Sequence, residues 1–509
     1  MRRTALIMMA AATALAGCSS ATDNLPDDAR TREADAQVRS HWGKGLDALP
    51  QETLVLISPN NRNIQQEFEW AFSLDQAVRR GRRVRMEWRD VGGGGSTIRT
   101  YLTNVYSRSD SSGIDVLWGG GDAGFIPLAQ AGVLAPLDLS SDVREQIPAE
   151  LSGTAMYDKD RRWAGSALSA FGFIYNAGML RRCGIEAPAT WQDLSAKPLA
   201  GLVSLADPTQ SSSAAAAYQM IVWSGRDWPD GWARLLAIMA NADRFTDSAG
   251  TAASAPLVGT ALVATCIDFY GALRVAEAPG ELIYVSPRGG TTFSPDPIAI
   301  LKNPPHPELA KEFVDFVLSS RGQALWALPV GVPQGPSRNL LGRMPIRKDV
   351  YRLYEGRLMG GITDPFQAGQ SMTLAPFARK VDFGVLRQLV KAAAVDSLPA
   401  LKAARAALAA ATPDQAAALA ADFNRLPENI ATIEGVTAVA KAIKDDTQRE
   451  RIVTDWQRFF AEKYARIARA SSMGVPPMSG TGVSPVHSPT APQEHGRDAH
   501  ATFTAGGRP

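Results

Sequence analysis

The sequence predicts an α/β fold of two lobes with a helical C-terminal extension. Three observations point there. Short apolar runs alternate with stretches of helical periodicity from about residue 53 to residue 327. Most of the runs end in small polar or glycine residues. From Val350 onward strand signals disappear and helix formers take over.

The elements follow in order. Thr53 to Ser58 is a buried strand ending in the turn Pro59-Asn60-Asn61. Ile64, Phe68, Ala71, Phe72 and Ala77 recur at helical spacing. Arg82 to Trp88 is a second strand, Val91 to Ser96 a mobile glycine loop, and Ile98 to Tyr106 a helix. Ile114 to Trp118 is a third strand, closed by Gly119-Gly120-Gly121-Asp122, and Leu128 to Leu134 is helical. Strand–helix alternation of this kind implies a parallel sheet with helices on both faces.

Gly165 to Tyr175 reads as an extended crossing segment, followed by a short helix over Asn176 to Cys183. Strands are expected at Leu202 to Ala206, Leu262 to Thr265 and Leu282 to Val285. Pro297 to Leu301 leads back to the first lobe, and helices follow at Leu309 to Leu318 and Gly322 to Ala327. Ala392 to Phe423 is rich in helix formers, with a start signal at Thr412-Pro413-Asp414. Arg451 to Ala470 is amphipathic, with Trp456, Phe459, Phe460 and Tyr464 on one side. This extension is expected to pack around the first lobe, or alternatively to dock a protein. Ser471 to Pro509 loses periodicity and reads as a disordered tail. It carries His487, His495 and His500, whose spacing fits no compact metal site.

The chain begins as an exported protein would. Met1-Arg2-Arg3 is a positive start, Thr4 to Ala14 an apolar stretch too short to span a bilayer, and Leu15-Ala16-Gly17-Cys18 a cleavage region. The last four residues resemble a bacterial lipobox, which implies lipidation of Cys18 and a membrane anchor through that lipid. Ser19 to about Leu46 is polar and reads as a tether with one short helix. The expected parts are a signal peptide (1–17), a lipidated N-terminus and tether (18–50), lobe 1 (51–165 and 297–349), lobe 2 with hinge crossings (166–296), the helical region (350–470) and the tail (471–509).

Several function classes are excluded. Lys+Arg total 53 against 51 Asp+Glu, which offers no basic excess for nucleic acid. There are three cysteines, so no disulfide framework and no CxxC metal site exist. Cys183 and Cys266 either pair in an oxidising compartment or remain separate buried thiols. His41 and His306 are the histidines before the tail, and no catalytic triad, HExxH, phosphate loop or GxSxG motif is present. No catalytic residues and no cofactor are expected.

Four strand-to-helix junctions stand out instead: Ser58 to Asn61, Gly119 to Asp122, Asp207 to Ser213, and the stretch after Thr265. A helix start presents unpaired N–H groups and partial positive charge, suited to an anion or carboxylate. The plainer reading of each is capping. Ligands of open α/β sheets bind at the carboxyl ends of strands. The candidate contacts are therefore Ser58, Asn60, Asn61, Gly120, Gly121, Ser166, Ser211, Ser212, Asp268 and Tyr270. Tyr270 is also the candidate metal ligand, since a phenolate can bind a hard cation.

These residues together resemble the extracellular solute-binding proteins of ABC importers, in particular their ferric-iron-binding branch. The resemblance is carried by Leu54 to Asn60, Asp115 to Gly121, Ala131 to Leu137, Tyr175-Asn176, Pro188 to Leu194, Ala206-Asp207-Pro208 with its serines, and Ala310 to Leu318 followed by Gly322. It implies a type II periplasmic-binding-protein fold: two lobes joined by crossings at Gly165 to Tyr175 and about Thr292 to Ile298, with the ligand between them. It also implies a periplasmic monomer that serves a permease in the inner membrane. The transported ligand would be a small polar or anionic solute, or ferric iron. Two departures favour an organic solute or a chelated metal over free iron: Asn60 stands where ferric binders often carry His, and Tyr270 follows Phe269 rather than another Tyr. The alternative reading is a sensory or scaffolding lipoprotein that docks a membrane partner through its helical region.

Overall fold

The computed structural model describes residues 25–472 apart from Ser152. The expected signal peptide and lipidation at Cys18, and the tail beyond 472, lie outside the described residues. The strands are β1 (Gln51–Ile57), β2 (Arg83–Arg89), β3 (Val116–Trp118), β4 (Glu150–Leu151), β5 (Thr154–Ala155), β6 (Ala164–Ser169), β7 (Phe171–Asn176), β8 (Val203–Ala206), β9 (Ala242–Thr246), β10 (Val263–Ile267), β11 (Leu282–Val285) and β12 (Ser294–Ile300). They form two five-stranded sheets, ordered β2-β1-β3-β12-β6 and β11-β7-β10-β8-β9, and the small β4-β5 pair.

Each five-stranded sheet is mixed rather than parallel, which corrects the expectation from alternation. In the first, β1 runs parallel to β2 and β3, but β12 is antiparallel to β3 and to β6. In the second, β10 and β9 are parallel to β8, while β7 is antiparallel to β10 and β11. The antiparallel members are the strands that carry the chain between lobes. A crossing strand arrives from the far side and need not follow the right-handed crossover that keeps neighbours parallel.

Those crossings are short. β6 belongs to the first sheet and β7 to the second, with Ala170 alone between them. The return runs from Val285 at the end of β11 to Ser294 at the start of β12. The Phe171 N–H donates to Thr291 Oγ1 at 3.2 Å, so the two crossings touch. Ser166 to Ser169 and Ser294 to Asp296 thus belong to the first sheet, although the sequence suggested the second lobe.

The first lobe carries α1 (Ala29–Trp42), α2 (Arg62–Arg80), α3 (Gly95–Tyr106), α4 (Asp122–Gln130) and α5 (Ser141–Gln146). The second carries α6 (Ala177–Arg182), α7 (Ser212–Trp223), α8 (Trp228–Met239), α9 (Ala249–Val258) and α10 (Asp268–Glu277). The chain then returns to the first lobe with α11 (Pro307–Leu318), α12 (Ser320–Ala327) and α13 (Lys348–Leu353), and ends in α14 (Phe383–Val390), α15 (Leu398–Ala409), α16 (Pro413–Asn424), α17 (Ile433–Ala442) and α18 (Asp446–Ser472).

Two further expectations are corrected by packing. The segment read as a tether contains α1, which is docked: Ala34, Val38, Leu46 and Leu49 share a core with Leu74 and Ala77 of α2, and Trp42 Nε1 donates to the Val78 carbonyl at 3.1 Å. The C-terminal helices pack on the second lobe, not the first. Val385, Leu389, Trp456, Phe460, Tyr464 and Ile467 lie in one core with Leu205, Trp228, Trp232 and Leu236. Trp228 Nε1 donates to the Ile430 carbonyl at 2.7 Å. An amphipathic period shows that a face is buried but not against which surface. The apolar face of α18, offered as a docking surface, is therefore covered within the chain.

Cys183 is exposed, Cys266 is buried, and both are free thiols. Among the described residues no helix is long and apolar enough to cross a membrane.

Candidate functional site

A cavity of about 460 Å³ lies between the lobes, at the ends of β1, β3 and β10 and against the crossings. Its first-lobe wall starts at the turn after β1. Asn61 caps α2, its side chain accepting from the Ile64 N–H at 3.1 Å. Ser58 Oγ accepts from the Asn60 N–H at 3.0 Å and stiffens the turn. The Asn60 carbonyl accepts from Gln65 Nε2 at 2.9 Å, while Asn60 Nδ2 is buried without a hydrogen-bond partner among the described residues.

The turn after β3 packs directly on this one. Gly119 and Gly120 have φ of 88° and 99°, which side chains rarely adopt. A Cβ on Gly120 would stand 3.0 Å from Pro59 Cγ and 3.2 Å from Gly95 Cα. Gly95 opens α3 and joins the cavity wall, so the glycine run read as a mobile loop supplies a close backbone approach.

The floor is polar. Asp296 Oδ1 accepts from the Gly121 N–H at 2.9 Å, and Arg343 Nη1 donates to Oδ2 at 2.6 Å. Arg343 Nη2 donates to Ser169 Oγ at 2.8 Å, and its guanidinium lies 5.5 Å from the centre of the Phe269 ring. Arg343 reaches the floor because the chain just before it is anchored. The buried Glu67 carboxylate accepts N–H bonds from Ser337, Arg338 and Asn339, which brings Leu340, Leu341 and Arg343 against the cavity.

The second-lobe wall is apolar: Phe171, Ile267, and Phe269, Tyr270 and Leu273 from the start of α10. The Phe269 and Tyr270 rings are 4.4 Å apart and tilted by 52°. Behind them Asp268 is buried, and its carboxylate makes no well-formed hydrogen bond among the described residues. Burial pushes its pKa up to about 7, opposed by the Arg343 charge. Burial also raises the pKa of Asp122 at the start of α4, and Asp296 adds to that rise.

Of the residues singled out in the sequence, Asn60, Asn61, Gly120, Gly121 and Tyr270 line the cavity. Five do not. Ser58 is spent in its turn. Ser166 is buried behind the floor, donating to the Asp296 carbonyl and accepting from Trp118 Nε1. Asp268 sits beneath the aromatic wall. Ser211 caps α7, accepting from the Ala214 N–H at 3.3 Å, and Ser212 is exposed on its first turn. The Asp207–Ser213 junction lies under the C-terminal helices instead: Arg387 of α14 donates to the carbonyls of Pro208 and Thr209, both at 2.6 Å.

Sequence reasoning missed Arg343, Asp296, Ser169, Phe171 and Phe269. Phe269 was visible beside Tyr270. Arg343 lies in a segment without periodicity, and nothing local marks it. Among the described residues no group of three or more His, Cys, Asp and Glu could hold a metal.

The comparisons with known proteins can now be set beside this geometry. The phosphoglycerate transport regulatory protein PgtC of Salmonella typhimurium is 27% identical over 161 residues, 32% of this chain and 40% of that protein. The match thus spans two fifths of that relative's length. An uncharacterized protein of Haemophilus influenzae is 28% identical over 237 residues, 46% of this chain and 65% of that one. Among solved structures, the periplasmic binding protein AfuA of Actinobacillus pleuropneumoniae is 20% identical with a TM-score of 0.43, covering 69% of this chain and 96% of its own. A putative extracellular solute-binding protein of Bordetella parapertussis is 13% identical with a TM-score of 0.49, covering 67% and 98%. Residues 119–348 match the family model described as bacterial extracellular solute-binding protein.

Proposed function

We propose that this chain captures a small solute in the cavity between its lobes and presents it to an ABC-type permease. The observation that carries this reading is the cavity itself. It is walled by both lobes, sits at the carboxyl ends of strands, and is spanned by two short crossings that touch through Phe171 and Thr291. Changes of backbone angle at Ala170 and over residues 286–293 would open or close it.

The sequence supports a tether for this role. Leu15-Ala16-Gly17-Cys18 has the form of a lipid-attachment site, and a lipid on Cys18 would keep the loaded protein beside the membrane that imports the solute. For the ligand, the floor carboxylate of Asp296 is already held by Arg343, which favours an organic solute over bare ferric iron. A hard cation needs several free anionic oxygens, and Tyr270 supplies one phenol.

A thermal-shift survey of the purified chain tests the reading. A true ligand at about 100 times its Kd raises stability by about 2.7 kcal/mol. Absence of any shift across organic acids, sugars, phosphates, polyamines and ferric chelates counts against solute capture.

A regulatory role is the second reading. It is favoured by the name of the Salmonella relative, a transport regulatory protein. Here the solute-loaded form would engage a membrane partner rather than a permease. Ligand-dependent capture of a partner from host membranes, followed by its identification as permease or sensor, separates the two.

A further inference from the structure

The chain passes between the lobes a third time. It leaves α13 in the first lobe and reaches α14 on the second, with a short 3₁₀ turn at Ala378–Lys380 on the way. The two ends of this segment sit in different cores. Ile362 and Phe366 pack against the first-lobe core of Leu54, Phe68 and Trp326, and the Phe366 ring lies 5.8 Å from that of Tyr351 in α13. Phe377 and Val381 pack with Leu205 and Trp232 in the second-lobe core, and Gln219 of α7 donates to the Val381 carbonyl at 3.3 Å.

Between its ends the segment is bonded along the return crossing. The Gly289 N–H donates to the Gln370 carbonyl at 3.0 Å, and the Met372 N–H donates to the Thr291 carbonyl at 2.7 Å. Gln370 Nε2 donates to the Ser286 carbonyl at 3.2 Å, and Arg288 Nη2 to the Ala368 carbonyl at 2.6 Å. These partners all lie within residues 286–291, the stretch whose backbone angles would change on opening. Thr291 is also where the first two crossings touch. Earlier in the segment the backbone meets the second lobe directly: a Cβ on Gly361 would stand 3.2 Å from Ala272 Cα of α10.

A hinge swings freely when few residues join the lobes. A further covalent link fastened to one of the hinge strands removes part of that freedom. Phe366 is seated in the first lobe, and Ala368 is bonded to the return crossing. Two residues of chain span at most about 7 Å, so larger separations must peel the segment from the crossing or pull Phe366 from its core.

Building on the hinge motion proposed above, we infer that residues 362–381 form a third interlobe crossing that straps the return crossing and limits how far the cavity opens. A solute then meets both walls nearly in place, at a smaller cost of closing.

Electron-spin distance measurements on the full chain test this. The labels go on Ile126→Cys and Val258→Cys, exposed positions in α4 of the first lobe and α9 of the second, with Cys18→Ser and Cys183→Ser as background. Small-angle scattering of the same samples reports opening independently of label placement. A Gly-Ser run of about ten residues inserted between the exposed Ala368 and Gly369 adds about 17 Å of slack between the first-lobe anchor and Gln370. The expected result is a longer and broader label separation and a larger radius of gyration than in the parent. Arg288→Ala combined with Gln370→Ala adds no chain and guards against an insertion that misfolds. It should shift both readouts the same way by a smaller amount. A shift in the insertion variant alone upholds the strap and assigns its restraint to chain length. Readouts that match the parent in both folded variants overturn it. No solute enters these measurements, so a failure of solute capture in its thermal-shift survey is seen separately.

Discussion

Arg343 and Asp296 form a buried pair at 2.6 Å that ties a late segment of the first lobe to the strand returning from the second. The side chains are 8% and 11% exposed. Breaking such a pair on one side leaves an uncompensated buried charge. Arg343→Met should therefore cost about 3–5 kcal/mol. The double change Arg343→Met with Asp296→Asn should cost less than the sum of the two single changes, because no charge is stranded. A double-mutant cycle by urea denaturation measures the coupling, and strict additivity would show that the pair contributes nothing.

The meeting of the two first-lobe turns depends on Gly120. Its φ of 99° strains any side chain, and a methyl group there would crowd Pro59 Cγ and Gly95 Cα. Gly120→Ala should cost about 1–3 kcal/mol and push the turn off Gly95 into the cavity. Loss of affinity for a ligand found in the thermal-shift survey, beyond the loss of stability, is the signature of that shift. A fully stable variant with unchanged binding would show that the turn can relax.

Asp268 gives stability a pH dependence. Its carboxyl titrates at about 7 when folded and at about 4 when unfolded. Between these values the folded state holds a proton that the unfolded state has released, so stability falls as pH rises through the window. The groups facing it are Arg343, Cys266, Tyr284 and Tyr351. Asp268→Asn keeps the neutral shape, and its stability should decline less between pH 4 and pH 7. Equal slopes for the two proteins, followed by chemical denaturation, would remove Asp268 as the cause.

Much of the first lobe was legible because local patterns and tertiary fate agree there. β1 and α2 followed from their apolar spacing, and the junctions at Asn61 and Ser211 followed from capping chemistry. Capping alone could not separate a junction facing the cavity from one covered by protein. Arg387, 178 residues beyond Thr209, decides that the Asp207–Ser213 junction is covered. Arg343 was invisible for a similar reason. Its place depends on Glu67, which holds Ser337 to Asn339 from 270 residues and more away. Sequence periodicity reports which face is buried, and such long-range polar anchors decide what buries it.

Glu67 makes that anchor testable. It is fully buried, and its bonds to three successive N–H groups place the segment that leads to Leu340 and Leu341. Glu67→Gln keeps the size but halves the acceptor capacity, so at least one N–H loses its partner. The expected cost is about 1–3 kcal/mol, with faster amide exchange at Ser337 to Asn339. Unchanged exchange there would mean that the segment is held by other contacts.

The C-terminal helices pose the last question, because a dispensable module and an integral part of the second lobe predict different unfolding. Trp456 of α18 is 1% exposed, and its Nε1 donates to Asn429 Oδ1 at 3.1 Å. It shares a core with Trp228 and Trp232 of α8. Trp456→Ala should therefore cost about 3–5 kcal/mol. Because the core is continuous, that loss should be felt by the second lobe as a whole. In native-state hydrogen exchange, amides of α8 and β8 should lose protection together with those of α18. If α18 alone lost protection while α8 and β8 kept theirs, the extension would be a separable unit, and its removal could then be used to look for a docking partner.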